Sequence, residues 1–475
     1  TGGTFAVYNG GSVTLKYDIT IQKWEITASH YNSLDNFGSG NWTLSGNDIY
    51  NGNVGNVGIG TSSPSEKLEV NGSMNITGEI KPAGQIGQLG EVLQSNGNGT
   101  MAWMPPSNSN GNVGFGSWGC EMDNLTAYNP VFASDGAAMD GFGTDADIHE
   151  NFAIIGAKDA TVDGKFAQGC AYIFHFDGQK WVEMQKITAS DGIASDEFGN
   201  SVAIFGNWAI VGASKADFNG NFDRGASYIY HYNGSSWVEH QKIIDPAGVS
   251  NNLFGYDNSI SATHIIIGNV GSNDFTGSVH TYTFDGNFWV PDQVVLANDG
   301  NFEDWFGFSI SLFEDKMVIG AALDDVGAPY GGSAYFFELI NNTWTFHSKM
   351  ADDTPVFSGG FGTSVSLTDN YAAIGDFHNN IHFVEFKNDQ WIRKSKKLIS
   401  QLSTVSISNE YSITSGGVLL KSTGNQWYQY EKANDPQDIS NGAIFKTVAI
   451  DQITFVMCAP TALNNSGLAI FGKIK

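Results

Sequence analysis

The sequence of 475 residues is poor in cysteine, proline, basic residues and long apolar runs. Three cysteines are too few for a disulfide framework in so long a chain, and we expect Cys120, Cys170 and Cys458 to be small buried side chains on strands. No stretch approaches the ~20 apolar residues of a membrane-spanning helix. Lys and Arg number 23 against 49 Asp and Glu, for a formal net charge of −26. This acidic excess argues against nucleic acid as a partner.

Motifs of familiar active sites are also absent. The sequence has no HExxH, no GxSxG, no cysteine pair with zinc spacing and no Asp box of the sialidase type. Residues 114–119 spell GxGxxG, but they open no predicted helix, so a dinucleotide site is not expected. His175, His231 and His280 occupy predicted third strands of the repeat described below, where we expect structural roles. We therefore predict a protein that is not an enzyme.

What the sequence does contain is a repeat of about fifty residues. Phe-Gly recurs at 142, 198, 254, 306 and 361, and two weaker copies follow at 402–413 and 444–456. Within each unit, alternating apolar runs and tight turns predict four short antiparallel strands. Six tryptophans, each just beyond a hairpin turn, mark the outer strands: Trp181, Trp237, Trp289, Trp344, Trp391 and Trp427. This period and strand count are typical of β-propeller blades.

A seventh outer strand is predicted upstream of the first repeat. Residues 117–127 align with the strand that begins at Trp181 if Trp118 takes the place of that tryptophan, whereas the last strand, 467–475, has no tryptophan after it. We therefore predict an all-β, seven-bladed propeller over 117–475, closed by this N-terminal strand, which we call the clasp. Residues 1–104 are predicted to form a β-rich stalk or oligomerisation region, and residues 105–116 a linker.

The repeat resembles a known family. The segment FGNSVAIFGNWAIVGA at 198–213 is similar to the bacterial FG-GAP repeat, which is related to the propeller of integrin α-subunits. The resemblance covers roughly 117–475 and implies the same propeller fold. Integrin-type repeats carry a calcium loop in the first hairpin of the blade. Here that hairpin is a tight turn, as at 206–207 and 369–370, so the family's calcium sites are not carried over.

Residues 1–116 differ in composition and are rich in Gly, Asn, Ser and Thr. Strand-like runs occur at 13–21, 24–28 and 42–44. Residues 40–106, with VGIGTSSPSEKLEVNG at 57–72, resemble phage tail fibres and fibre-like surface proteins of Bacteroidota. That resemblance implies an extracellular protein, on a virion or a bacterial surface, that forms a homotrimer through residues 1–104.

Strand direction divides the predicted loops between two faces of the propeller. We call the face with the loops between second and third strands and the connections between blades face T, and the face with the hairpins face B. The face-T segments are long and acidic, as binding loops on a rigid scaffold often are. The clasp direction implies that the stalk reaches face B. The predicted ligand-binding residues on face T are Asp191, Asp196, Glu197, Asp299, Glu303, Asp304, Trp305, Asp324, Asp325 and Tyr330.

One face-T loop has the residue spacing of a calcium site. Asp217, Asn219, Asn221 and Asp223 place oxygen ligands at alternate positions, as a calcium loop does. The loop lacks the downstream bidentate Glu, and an ordinary Asx-rich turn explains the same residues. Calcium is therefore the single candidate cofactor.

Three functions fit these features. The favoured hypothesis is a non-enzymatic binding head on a fibre-like stalk, recognising a cell-surface glycan or protein through face T. The alternative is a structural or adhesive filament subunit of a bacterial cell. The third is a carbohydrate-active propeller enzyme, which would need two carboxylates about 5–10 Å apart in a pocket.

Overall fold

A computed structural model of the chain comprises two compact units, Thr1–Gly114 and Phe115–Lys475. The structure describes residues 3–7, 11–18, 23–28, 43–45, 48–50, 57–59, 68–70, 92–95, 101–104, 125–399, 404–408, 411–415, 418–422, 427–432, 446–460 and 467–474. Among these residues, no helix has the length and apolar character needed to cross a membrane.

The described part of the first unit consists of short strands. The strands are β1 (Gly3–Val7), β2 (Gly11–Asp18), β3 (Lys23–Ala28), β4 (Thr43–Ser45), β5 (Asp48–Tyr50), β6 (Val57–Ile59), β7 (Leu68–Val70), β8 (Val92–Ser95) and β9 (Met101–Met104). β1–β3 form an antiparallel sheet, and β4–β5 and β8–β9 are antiparallel pairs. β6 and β7 pair in parallel. The runs predicted at 13–21, 24–28 and 42–44 overlap β2, β3 and β4.

The second unit is the predicted seven-bladed β-propeller, because its described strands form seven four-stranded antiparallel sheets. The chain enters through β10 (Leu125–Val131). Blades 1–3 follow as β11 (Phe142–His149), β12 (Phe152–Ala157), β13 (Cys170–Phe176), β14 (Trp181–Ile187); β15 (Val202–Phe205), β16 (Trp208–Ala213), β17 (Ala226–Tyr232), β18 (Trp237–Ile243); and β19 (Phe254–Ile260), β20 (His264–Asn269), a helical turn α1 (Ser272–Phe275), β21 (Ser278–Phe284), β22 (Trp289–Val295).

The remaining blades repeat this order. Blades 4–7 contain β23 (Phe306–Phe313), β24 (Lys316–Ala321), β25 (Ser333–Ile340), β26 (Thr343–Met350); β27 (Ser364–Leu367), β28 (Tyr371–Gly375), β29 (Asn380–Phe386), β30 (Trp391–Leu398); β31 (Val405–Ser408), β32 (Tyr411–Thr414), β33 (Val418–Ser422), β34 (Trp427–Lys432); and β35 (Thr447–Asp451), β36 (Thr454–Ala459), β37 (Leu468–Ile474). Each of the six predicted tryptophans lies on the outer strand of its blade.

The clasp is confirmed, since β10 pairs with β37 and completes blade 7. Its alignment with the other outer strands differs from the prediction. Leu125 pairs with Ile474 at the position where Trp181 pairs with Phe176 in blade 1. The outer-strand tryptophan is therefore replaced by Leu125 and not by a residue near 118; residues 117–124 lie outside the described residues.

The correct alignment is indicated by a four-residue sequence that occurs twice in the chain. The sequence Ala-Ser-Asp-Gly occurs at 133–136 and again at 189–192, directly after the outer strands of blades 7 and 1. Both copies make the same contacts. Ser134 Oγ donates to Glu183 at 2.6 Å, and Ser190 Oγ donates to Glu239 at 2.8 Å. The prediction instead matched the Thr-Ala pair at 126–127 to the pair at 188–189. It therefore placed Trp118, and not Leu125, opposite the end of the third strand.

The Phe-Gly motif is fixed by contacts between adjacent blades. Phe198 is fully buried, and Gly199 has φ of +94°, a conformation that favours glycine. A Cβ added at Gly199 would lie 2.4 Å from the carbonyl oxygen of Cys170. The glycine at the end of the second strand faces it from the preceding blade: a Cβ on Gly156 would lie 2.1 Å from the Gly199 oxygen. Both glycines are needed because backbone touches backbone there.

A second contact between blades joins the outer strands. Gln185 of blade 1 donates from Nε2 to the carbonyl oxygen of Trp237 at 2.7 Å, and its Oε1 accepts the Trp237 N–H at 2.8 Å. Gln241 and Gln293 make the same pair of bonds with Trp289 and Trp344. These glutamines fix the outer strands of blades 1–4 relative to one another.

The first strands contact one another around the centre of the ring, where side-chain oxygens bind the next blade. Ser309 Oγ accepts the N–H of Val365 at 2.9 Å. Aspartate occupies the equivalent position in blade 3, where Asp257 Oδ2 accepts the N–H of Ile310 at 2.7 Å. Burial raises the pKa of Asp257 to about 6, and in blade 1 it raises that of Asp147 to about 7. The centre of the propeller thus holds unfavourably buried carboxylates at positions where serine also works.

Candidate binding face

The antiparallel order of the strands assigns the loops to the two faces as predicted. On face B the first hairpins are short: Phe205 pairs with Trp208, and Phe313 pairs with Lys316, which leaves two residues in each turn. On face T the segments between second and third strands are longer, as at 158–169 and 214–225. Because these segments lie at one end of a rigid ring, face T is where the chain can present variable side chains.

Two predicted ligand-binding residues on face T, Asp191 and Asp299, belong to a repeated structural contact. Asp191 Oδ1 accepts the Tyr228 hydroxyl and its Oδ2 accepts Lys242 Nζ, both at 2.7 Å. We call this arrangement the Tyr–Asp–Lys latch. It recurs in blade 1 with Tyr172, Asp135 and Lys186, and in blade 4 with Tyr335, Asp299 and Lys349. Each latch ties the connection that precedes a blade to the third and fourth strands of that blade.

The latch also sets the charge of its aspartate. Burial alone would raise the pKa of Asp191, but hydrogen bonds from Lys242 and Tyr228 outweigh it and hold the pKa below its ordinary value. Asp191 is therefore ionised near neutral pH and carries its own counter-ion. Most of its charge is neutralised within the latch.

Asp196 and Asp304 stabilise turns just before the Phe-Gly motif. Asp196 Oδ2 accepts the N–H of Ile193 at 2.8 Å, and Asp304 Oδ2 accepts the N–H of Asn301 at 2.6 Å. Both side chains are buried, and burial raises the pKa of each to about 6. A ligand on face T would reach neither carboxylate without opening its turn.

The remaining predicted acidic residues differ in exposure. Glu197 bridges two lysines, with Lys158 Nζ at 3.1 Å and Lys215 Nζ at 2.7 Å. Glu303 is half-buried in a left-handed turn, with φ of +65°. Asp325 Oδ1 accepts the N–H of Tyr330 at 2.8 Å and shapes the blade-4 loop.

The structure brings Asp299 and Asp324 together around one lysine. Lys349 Nζ lies 2.7 Å from a carboxylate oxygen of each. Asp324 is buried and also accepts Ser333 Oγ at 2.6 Å and the Tyr335 hydroxyl at 3.0 Å. The blade-4 latch is thus doubled, and a half-exposed and a buried carboxylate share one lysine.

Face T also exposes aromatic side chains. Trp305 is half-buried and stacks against Phe275, with 6.1 Å between ring centroids, whereas Tyr330 is exposed and lies 6.2 Å from Phe357. Further exposed phenylalanines occupy face-T loops and connections, and sequence reasoning missed them. We call six of the exposed rings the face-T aromatics: Phe166, Phe222, Phe302, Tyr330, Phe357 and Phe377.

The candidate calcium loop is an ordered turn. Asp217 Oδ1 accepts the N–H of Asp223 at 2.9 Å, and Phe218 and Asn221 pair through two backbone hydrogen bonds around Asn219 and its following glycine. The blade-1 loop forms the same turn at 162–165 with other residues. Local turn geometry therefore accounts for the Asn and Asp spacing, and calcium binding there stays a prediction.

Two groups of three metal-ligating side chains occur among the described residues. Asp352, Asp376 and His382 offer ligand atoms within 4.8 Å of one another, and the second group is Glu338, His347 and Asp389. In the first group Asp352 already has a cation, since Lys396 Nζ lies 2.7 Å from Oδ2. Asp376 accepts hydrogen bonds from Asn380 and contacts His382 at 3.3 Å. Protein groups thus already partner both carboxylates of the first group.

The geometry defines a seven-bladed β-propeller whose elaborated loops lie on one face, an architecture used for binding and adhesion. The family profile of the FG-GAP repeat matches residues 129–174, 181–230 and 289–337, so the chain contains FG-GAP repeats arranged as that propeller. FG-GAP repeats occur in extracellular and surface proteins. Among curated proteins, none matches the chain significantly.

Proposed function

We propose that the propeller is a non-enzymatic binding head that recognises a cell-surface glycan or protein through face T. The observation that carries this proposal is the exposure of the face-T aromatics. Phe166, Phe222, Phe302 and Phe357 are each about two-thirds exposed, although a phenylalanine in a folded domain is normally buried. Aromatic rings beside polar groups suit both stacking on sugars and anchoring in protein interfaces.

The acidic residues of face T support binding without turnover. A glycosidase needs one carboxyl group as acid and a second as base or nucleophile, both accessible to the sugar. Asp191 and Asp299 are instead held in latches, and the buried Asp196 and Asp304 hold turns. These contacts favour a structural role for the carboxylates and leave recognition to the aromatic rings.

The test compares binding of the intact chain and two variants to a printed glycan array and to immobilised bacterial cells. Phe166→Ser/Phe222→Ser removes two face-T aromatics. Because burying one phenylalanine contributes about 1.5–3 kcal/mol, we expect binding to fall at least about ten-fold. Phe288→Ser is the matched control, since Phe288 is also exposed but lies beside a face-B hairpin. It should leave binding unchanged.

Two results would count against the proposal. Equal losses in both variants would show that binding does not depend on face T. Turnover of a polysaccharide that one Asp or Glu substitution abolishes would establish an enzyme instead.

We propose further that this head is carried extracellularly by a homotrimeric stalk formed by residues 1–104. The support is the sequence resemblance of residues 40–106 to fibre proteins, together with the direction of β10, which begins at face B and ends at face T. Light scattering of the intact chain should give a mass near three times 51.1 kDa. A monomer would contradict the trimer, and long polymers would favour the filament subunit.

A further inference from the structure

The Tyr–Asp–Lys latch is missing from blade 3, where all three of its positions have changed. Val279 pairs with Val295 as Ser227 pairs with Ile243 in blade 2. This register places His280 where blade 2 has Tyr228, and Val294 where blade 2 has Lys242. In the preceding connection, Gly248 donates its N–H to Asp245 as Gly192 donates to Ala189, so Ala247 stands in the place of Asp191. The latch has been replaced as a unit.

A cavity lies where the latch would be. Its volume is about 680 Å³, within the range of small-ligand sites, and Ala247, His280 and Val294 all line it. Trp289 and Leu296 add apolar wall. Val294 and Leu296 are each about half exposed, so the cavity opens to solvent along the outer strand. The space thus results from exchanging a tyrosine, an aspartate and a lysine for other side chains.

The polar part of this cavity contains a buried carboxylate without an ion-pair partner. Asp245 lines the cavity and is 7% exposed. Its Oδ1 accepts the N–H of Ala247 at 2.9 Å, and its Oδ2 accepts Asn269 Nδ2 at 3.1 Å. Among the residues that the structure describes, no Lys or Arg side chain forms a salt bridge with it. Neutral donors alone leave a buried carboxylate poorly compensated.

Blade 5 has a lysine at the position where blade 3 has no cation. Asp352 occupies the position of Asp245, because its Oδ1 likewise accepts an N–H two residues later, from Thr354. Lys396, which corresponds to Val294, places Nζ 2.7 Å from Asp352 Oδ2. The cavity there is also smaller, at about 240 Å³. Blade 5 therefore supplies an alkyl ammonium group from its own chain at the place where blade 3 has an apolar side chain and space.

The other charged groups near the blade-3 cavity do not replace that ammonium. Lys242 pairs with Asp191 in the blade-2 latch and not with Asp245. Arg224 donates from Nη2 to the backbone carbonyls of Asp245 and Pro246, not to a carboxylate. Burial lowers the pKa of His280, so its imidazole is neutral near pH 7. An incoming cation would thus meet a vacant position beside Asp245.

We propose that the blade-3 cavity binds a primary ammonium group on an aliphatic stem. The ammonium takes the position that Lys396 Nζ holds in blade 5 and pairs with Asp245. The stem lies along Val294 and Leu296, with Trp289 behind it. The chemistry is that of a lysine side chain of a partner protein or of a free alkyl amine. This site is separate from the face-T aromatics and stands whether or not they bind a glycan.

The experiment titrates the full chain with n-butylammonium at pH 7.5 by isothermal calorimetry, with n-butanol as the uncharged probe of equal stem. We expect saturable binding of the ammonium and at least ten-fold weaker binding of the alcohol. Asp245→Asn should weaken ammonium binding at least ten-fold. Val294→Lys, which copies blade 5 and keeps Asp245, should abolish it and should raise the melting temperature.

The two variants change different residues of the site, so the test does not depend on both of them folding. If Asp245→Asn does not fold, Val294→Lys still tests the same position with the carboxylate intact. Equal affinity for butanol and butylammonium, or binding that both variants retain, would overturn the proposal; so would no saturable binding at all. An Nα-acetyl-lysine amide then separates the sources. Tighter binding of the lysine derivative assigns a protein partner, and tighter binding of butylammonium assigns a small amine.

Discussion

Replacing Asp257 with serine should stabilise the propeller at alkaline pH, and the gain should shrink on acidification. Asp257 lies near the centre of the ring, where its Oδ2 accepts the N–H of Ile310 at 2.7 Å and its Oδ1 accepts the hydroxyl of Ser201 at 3.1 Å. Blade 4 has Ser309 at the equivalent position, and Ser309 Oγ still accepts an N–H from the next blade. The variant therefore keeps an acceptor for the N–H of Ile310 and removes the buried charge.

The magnitude follows from the pKa. Burial raises the pKa of Asp257 from 3.8 to about 6, which corresponds to about 3 kcal/mol. Protonation of Asp257 removes its buried charge and so stabilises the folded state by this amount. The stabilisation is fully present below pH 3.8 and is lost as the pH rises through 6. At pH 8 essentially none remains, whereas at pH 5 about 1 kcal/mol is recovered. Relative to the variant, wild type should gain this amount between pH 8 and pH 5, because the other buried carboxylates titrate in both proteins.

A neighbouring carboxylate acts in the same direction. The pKa of Asp145 is raised by burial and, to a smaller extent, by the charge of Asp257. Removing Asp257 therefore also lowers the cost of ionising Asp145. The stabilisation of Asp257→Ser at pH 8 should be at least as large as the direct effect of Asp257 predicts.

Urea unfolding followed by tryptophan fluorescence at pH 5 and pH 8 measures the effect. The quantity compared is the difference in the free energy of unfolding between Asp257→Ser and wild type. Ser309→Ala serves as the control, because it removes an uncharged acceptor from the equivalent position; it should destabilise by about 0.5–1.5 kcal/mol at both pH values. If the Asp257→Ser difference is the same at pH 5 and pH 8, the buried-charge argument is refuted.

Three further changes test the contacts between blades, each by urea unfolding. Gln293→Ala removes two hydrogen bonds to the backbone of Trp344 and should cost about 1–3 kcal/mol at any salt concentration; no loss would contradict the bridging role. Gly320→Ala places a Cβ 2.0 Å from a backbone oxygen of the next blade, so we expect a loss of about 3 kcal/mol or more, and a neutral result would refute the close contact. Lys186→Met opens a partly exposed pair with Asp135 and should cost less than about 1 kcal/mol, mostly abolished in 1 M NaCl.

The fold was largely predictable because each blade repeats the same local physics. Buried phenylalanine, close-packed glycine and outer-strand tryptophan recur at fixed spacing, and each copy supports the same assignment. The alignment of the clasp was harder, because its outer strand has lost the tryptophan that marks the others. The Leu125–Ile474 pairing takes that place, and an apolar pair of this kind carries no signature of its own.

The candidate site was much less predictable, since acidity does not distinguish a binding residue from a structural one. Asp191 and Asp325 look alike in the sequence, yet Asp191 pairs with a lysine on the fourth strand of the blade that follows it, and Asp325 caps a local turn. The lysine partner follows its aspartate by about fifty residues, so only the closed blade brings them together. The sequence indicates the exposed phenylalanines only weakly. Phe222, for instance, stands in an Asn- and Gly-rich loop where no strand pattern requires an apolar residue.

Internal copies supply a comparison that separates structural residues from functional ones within this single chain. A residue that five of the seven blades keep, such as the Phe-Gly glycine, serves the ring. A residue that changes alone can keep the same contact, as when Asp257 accepts the N–H of the next blade where blade 4 uses Ser309. The blade-3 latch is different, because three residues distant in sequence change together and leave a cavity with a buried carboxylate. A stable ring does not need that cavity, since blades 1, 2 and 4 fill the position with their own lysine. An internal cation is absent there while a buried carboxylate, Asp245, stands nearby, and a site for an external cation requires both.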